Sequence, residues 1–316
     1  MEKKDIPNAE KSFKKALKIN LRLKDIFPSL ELHVAANYHQ LGICAQVQLQ
    51  YKKAEKYFLK TLEIVTRLKL TAKLADIYHQ LSSIFRLQNN FEKATEFINK
   101  AQAIREEFGY KRKAAKGFYE LSILARKRKN FDEAKIFVRK ALIFFEAYGP
   151  ELGRAKGYEK LGKIAIAEKK FDEAFQWISK ALLIFNKYRS IKDIVALQLD
   201  LGLIFVEKGA FDKAKKTYEK AIEICTKTTI PSIKMYLTAV IEHNLAMMYH
   251  KKGEIKMAIK TAGTSLEKSL DLKSNENINN TLSLLLLIEK EIGNKKIKNI
   301  WLKIFGNSYP LDFEKK

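Results

Sequence analysis

The chain has 316 residues, 47% hydrophobic and 30% charged, with 13 glycines and 5 prolines, a profile that excludes a disordered chain and favours a folded, helix-rich one. Its formal charge of +24 suits polyanions, acidic protein surfaces or anionic membranes, or serves solubility alone, and does not choose among them. The two cysteines, Cys44 and Cys225, lie far apart within helical patterns, which suggests no disulfide framework and a reducing, cytoplasmic setting. The first fifteen residues lack the apolar core of a secretory signal and no uncharged stretch of about 18 residues occurs, so neither secretion nor a membrane span is expected.

In chain order, residues 1–27 read as an N-terminal half unit, because Ala9 to Leu17 follow the pattern of only one helix of the hairpins that come after. Residues 28–271 hold six such hairpins. Five alanines, Ala54, Ala94, Ala134, Ala174 and Ala214, stand in strict 40-residue register, each preceded by an aromatic three residues earlier. Thirteen residues before each comes Leu41, Leu81, Leu121, Leu161 or Leu201, followed by Gly42, Ser82, Ser122, Gly162 or Gly202. A period of this length is the mark of stacked supersecondary units. Tyr38, Leu41, Gly42 and Ala45 form one stripe of a first helix, with the small residue admitting a close partner. The second helix opens with a cap such as Asn130 and with acidic residues, Asp132 and Glu133, in its first turn. Gly109 and Gly149 read as helix C-caps. A sixth copy, around Leu245, Ala246 and Ala258, is shifted by four residues, and Pro231 marks where its first helix begins.

Residues 272–316 read as capping helices and tail. Ile297, Ile300, Trp301 and Ile304 fall at helical spacing on a basic segment, which suits either a cap over the last hairpin or a helix that binds a membrane surface or partner.

The arrangement of aromatic, Leu-Gly and Tyr/Phe-Asp-x-Ala resembles the tetratricopeptide repeat family over residues 8–271, in a 40-residue form similar to kinesin light chains or bacterial sensor-linked arrays. The family's usual period is about 34, and the longer one implies longer helices. The resemblance implies an all-α, right-handed superhelical solenoid of antiparallel helix pairs, with first helices along a concave groove. It places in that groove His39, His79, Arg86, Lys116, Tyr119, Arg126, Lys156 and Lys163, then Ile166, Leu199, Leu203, Val206, His243 and Met247. The middle repeats are thus expected to offer cations and the later ones apolar anchors, fitting a protein or peptide with acidic and apolar segments. The family's clamp for a terminal carboxylate maps onto His79, Ser83, Glu120, Lys156 and Lys160, where Glu120 would repel the anion.

No phosphate-cradling glycine loop, His-Glu-x-x-His, Cys-x-x-Cys or serine elbow occurs. The five histidines are spread over separate repeats, so no catalytic residue, metal or cofactor is expected. Lys60, Lys100, Lys140, Lys180 and Lys220 form a ladder on the second helices, read as a solvated outer face that could otherwise track a phosphate backbone. The expected function is a non-enzymatic interaction scaffold or adaptor. The alternatives are a peptide-sensing regulator or regulatory subunit of a separately encoded effector, and a basic nucleic-acid-associated solenoid.

Overall fold

The structure is a computed structural model that describes residues 6–306 and 309–310. The outermost parts of the N-terminal half unit and of the C-terminal tail, residues 1–5, 307–308 and 311–316, lie outside the described residues. Among the described residues there are fifteen α-helices and no strand. They group into two compact units, 1–160 and 161–316, the division falling within α8.

The first unit runs through α1 (Ile6–Leu23), α2 (Leu30–Val47), α3 (Tyr51–Arg67), α4 (Thr71–Leu87), α5 (Phe91–Glu107), α6 (Lys111–Lys127), α7 (Phe131–Ala147) and the start of α8 (Glu151–Ala167). The helix length of 17 residues recurs from α3 to α10, and a three-residue turn follows each. Helix and turn together make a module of half the repeat. At Leu49 the turn residue has φ of 60°, its N–H donates to Gln46 O at 3.0 Å, and the N–H of Gln50 reaches back to Ala45 O at 2.8 Å. This is a Schellman closure, which satisfies carbonyls left open at the helix end. It recurs at Lys69, Asn89, Gly109 and Lys129, and in the second unit at Lys169, Arg189, Gly209, Gly253 and Lys273. Most of these are not glycine, although the left-handed region costs an ordinary residue about 1 kcal/mol. Gly109 adopts it as expected. Gly149 does not: Pro150 follows it directly, and the α7 end closes instead with Tyr148 at φ of −138°.

The alanine column is the spine of each hairpin. Ala54, Ala94 and Ala134 are fully buried, and the small residue of the first helix faces a large side chain of the second. A Cβ on Gly42 would stand 2.6 Å from the Phe58 ring, far inside contact distance. In the next hairpin Ser82 occupies that place and donates from Oγ to Ala94 O at 2.7 Å. The facing column, Phe58, Ile98 and Val138, is 0% exposed throughout. Asn130 caps α7 by accepting from the Glu133 N–H at 3.3 Å, as expected, and Asn90 caps α5 in the same way.

The second unit holds the rest of α8, then α9 (Phe171–Lys187), α10 (Ile191–Glu207), α11 (Phe211–Thr226), α12 (Pro231–Lys252), α13 (Ile255–Asp271), α14 (Asn275–Ile292) and α15 (Asn294–Phe305). The pairing rule continues: Gly162 faces Ile178, and a Cβ on Gly202 would lie 2.1 Å from the Tyr218 ring. Pro231 sits in the first turn of α12, where its missing N–H is not needed. Helix α15 lays Ile297 and Trp301, 0% and 4% exposed, on α13 and α14, and Phe305 covers Gly263 of α13. Ile300 and Ile304 of the same stripe are half-buried against that core.

Candidate binding groove

Hairpin stacking sets first helices side by side within each unit, and ion pairs mark the contact. In the first unit Lys113 of α6 donates to both oxygens of Asp76 on α4, at 3.0 and 2.9 Å, and Arg86 of α4 approaches Glu120 of α6 at 4.0 Å. In the second unit Lys163 lies 3.8 Å from Asp200 on α10. There Thr281 of α14 meets His243 at 3.3 Å, and His250 meets Glu291 at 2.7 Å. Such partly exposed pairs contribute about 0–1 kcal/mol each, so they register neighbouring helices more than they stabilise them.

On the first-unit wall, His39 is half-buried against the Phe58 ring at 5.7 Å, and His79 is half-buried between α4 and its neighbours. Burial lowers the pKa of both, and nearby Arg105 lowers that of His79 further. Arg86 and Arg126 are half-buried and Lys116 is exposed, while Lys156 pairs with Glu159 at 3.0 Å. Tyr119 departs from the expectation. It is 6% exposed, its hydroxyl donates to Gly153 O at 2.8 Å, and its ring stacks on Phe145 at 5.5 Å. It is a strut between α6 and α8, not a groove residue.

On the second-unit wall, Lys163, Ile166, Leu199, Leu203 and His243 are half-buried and Met247 is 46% exposed. Val206 again departs from the expectation: at 5% exposure it belongs to the core built around Val195, Tyr218 and Ile241. Burial also lowers the His243 pKa. Cys44 and Cys225 are buried, and desolvation raises their thiol pKa values, which removes nucleophilic character. Among the described residues, no group of three or more His, Cys, Asp or Glu is placed to hold a metal ion. No described helix is long and apolar enough to cross a membrane.

The five ladder lysines are exposed, and four of them also lie over aromatic rings. Lys60 lies over Tyr38 at 5.0 Å, Lys100 over Phe97 at 5.3 Å, Lys140 over Phe118 at 5.5 Å and Lys180 over Trp177 at 4.7 Å. These are cation–π distances, and they tie the ladder to the hairpins that carry it.

Two residues on α5 escaped the reading of the sequence. Arg105 and Gln102 are 4% and 6% exposed. In the 40-residue register Arg105 stands with Val65, Phe145, Phe185 and Cys225, and Gln102 with Leu62, Leu142, Leu182 and Ile222. The register column at 105 holds one charge among buried apolar residues, and reading down that column finds it.

Residues 33–107 and 153–227 match the tetratricopeptide repeat family. No curated protein matches the chain by sequence. Among solved structures, BtubC (BKLC) from P. vanneervenii is similar at 22% identity, over 69% of this chain and 90% of that one, with a TM-score of 0.58. The apo quorum sensor NprR from B. thuringiensis is similar at 16% identity, over 90% and 83% of the two chains, TM-score 0.58. A Rap protein complexed with competence and sporulation factor is similar at 14% identity, over 83% and 76%, TM-score 0.59. At these identities the likeness concerns the fold.

Proposed function

We propose that this chain, which carries tetratricopeptide repeats, is a non-catalytic interaction scaffold acting in the cytoplasm, and that its first-helix wall holds a peptide or partner segment. The observation that carries the proposal is the side-chain inventory of that wall. The first unit presents Arg86, Lys116, Arg126 and Lys156, and the second presents Lys163 beside the partly exposed aliphatics Ile166, Leu199, Leu203 and Met247. Cations steer an acidic segment, and aliphatics that keep contact with water gain by being covered. The division into a half unit, six hairpins and capping helices belongs to the same proposal, with the partner seated on the hairpins.

Two proteins of similar fold, a quorum sensor and a Rap protein complexed with competence and sporulation factor, favour a regulatory adaptor over a purely structural one. The ladder contacts argue against a nucleic-acid track, since lysines held over rings of their own hairpins are poorly placed to follow a phosphate backbone. The test is capture of partners from the native cell by the whole chain and by a variant combining Arg86→Glu, Arg126→Glu and Lys163→Glu. The variant is expected to keep its helical circular dichroism and to lose the partner. Retained capture sinks the groove assignment.

A further inference from the structure

We propose that α4, α5 and α6 build an anion subsite on Arg105, beneath the first-unit wall, that takes a carboxylate of an acidic peptide. The inference rests on the scaffold reading above and names the chemistry recognised at one place on it.

Burial without a partner is the starting point. A guanidinium taken out of water costs several kcal/mol unless hydrogen bonds and an opposite charge compensate it. Arg105 is 4% exposed, and its Nε is sealed from solvent with no hydrogen-bond partner. Gln102, one helical turn away on α5, leaves its Oε1 sealed and unpartnered too, its amide nitrogen being donated to Glu106 at 3.0 Å. Asp76 and Glu120 attract Arg105 through space without hydrogen-bonding it, and each is engaged by another cation. Asp76 receives Lys113 on both oxygens, and Glu120 lies toward Arg86. Three cations, Arg86, Arg105 and Lys113, thus face two carboxylates, which leaves the buried cation in surplus.

A glycine lies against this pair, as Gly157 lies against Leu142 one repeat later. Gly117 of α6 lies against them: a Cβ there would stand 2.2 Å from Gln102 Oε1 and 3.1 Å from Arg105 Nη1. Any other residue would displace both side chains. The other copies hold Val65, Phe145, Phe185, Cys225 and, in the shifted sixth copy, Ser269 at the Arg105 position and an aliphatic at the Gln102 position, so the fold does not need a charged residue beside an amide here. His79, on the wall, feels Arg105, Glu120, Asp76 and Arg86 together, and its pKa is lowered by burial first and by Arg105 second. A neutral imidazole adds no competing charge. A carboxylate arriving along the wall would meet a planar fork suited to two parallel N–H···O bonds.

The experiment titrates the full chain with an alternating Leu-Glu octapeptide capped at both ends, by calorimetry at about 0.15 M salt, where long-range attraction is screened. The Leu-Gln counterpart, capped and as the free acid, and inorganic phosphate are the comparison probes. Arg105→Met is expected to weaken the Glu peptide about tenfold or more, with the capped Gln peptide unchanged, and to leave the unfolding midpoint unlowered because no hydrogen bond is lost at Nε and the desolvation of a buried charge, which outweighs its attraction to Asp76 and Glu120, is relieved. Lys52→Met, an equal charge change at an exposed site on α3, is expected to have no such effect. Binding of the free-acid Gln peptide through Arg105 supports the subsite and assigns the carboxylate to a chain end. Equal affinities in all variants, an equal loss with Lys52→Met, or phosphate competing as well as the Glu peptide overturns the subsite. A destabilised or unfolded Arg105→Met overturns it too, because it shows an internal structural role. Native partner capture kept by Arg105→Met but lost by the triple wall variant overturns the subsite alone, whereas capture kept by both overturns the scaffold reading.

Discussion

The close approach of Gly202 to Tyr218 gives a quantitative test of how the hairpins hold together. Gly202→Ala places a methyl group 2.1 Å from Tyr218 Cε1 and 2.4 Å from Cζ, where carbon atoms prefer about 3.5–4.0 Å. The ring must therefore retreat by more than about 1 Å, yet Tyr218 is 1% exposed and enclosed by the core. Overpacking of this kind costs about 1–3 kcal/mol. Helix propensity works the other way, since replacing an interior glycine of α10 by alanine returns about 1 kcal/mol. With so large an overlap the packing term wins, and a net loss of about 1–2 kcal/mol is expected from guanidinium unfolding. Pairing Gly202→Ala with Tyr218→Val imitates the third hairpin, where Ser122 faces Val138. The two changes should couple favourably by about 1 kcal/mol or more in a double-mutant cycle. A neutral or stabilising Gly202→Ala would refute the claim that small residues in this column exist to admit the facing side chain.

Two further outcomes follow from burial. Trp301→Ala should cost about 3–5 kcal/mol, because the indole is 4% exposed between α15 and the helices it covers; a loss below about 1 kcal/mol in denaturant unfolding would mean that α15 is only loosely attached. The second outcome is a pH dependence. His39, His79 and His243 all have folded pKa values below the ordinary histidine range, through burial first. The unfolded chain then binds more protons as pH falls through about 6.5, so their contribution is complete above that value and is lost below it. The unfolding midpoint should fall between about pH 7.5 and 5.5, and less so when all three are replaced by glutamine. Glu10, held at about 2 by Lys14, Lys53 and Gln48, stays ionised across that window and does not mimic the effect.

Much of the fold could be read from residue spacing because its strongest constraints are steric and repeat strictly. The alanine column, the leucine with its small follower, the Pro231 start and the Asn130 cap each carry a signal that one side chain defines. The 20-residue module was hidden because its left-handed turn residues are mostly Lys, Leu, Asn and Arg, and the glycine rule pointed to Gly149, where the following proline imposes another closure. The candidate wall was less legible. A register rule fixes which face of a helix a residue occupies but not where a long side chain goes, so Tyr119 and Val206 fall on the expected stripe and are nevertheless buried in the core. The ladder lysines illustrate the same limit, since their partners are rings on the other helix or on the turn before. Arg105 lies on a second helix, and its departure from the repeat appears only when second-helix columns are compared.

The most direct test of the central claim is hydrogen exchange of the whole chain with and without the partner captured from its native cell. Bound partner is expected to slow exchange in α4, α6, α8 and α10 while leaving α7, α9 and α11 unchanged. Protection confined to the second helices would contradict the assignment of binding to the first-helix wall.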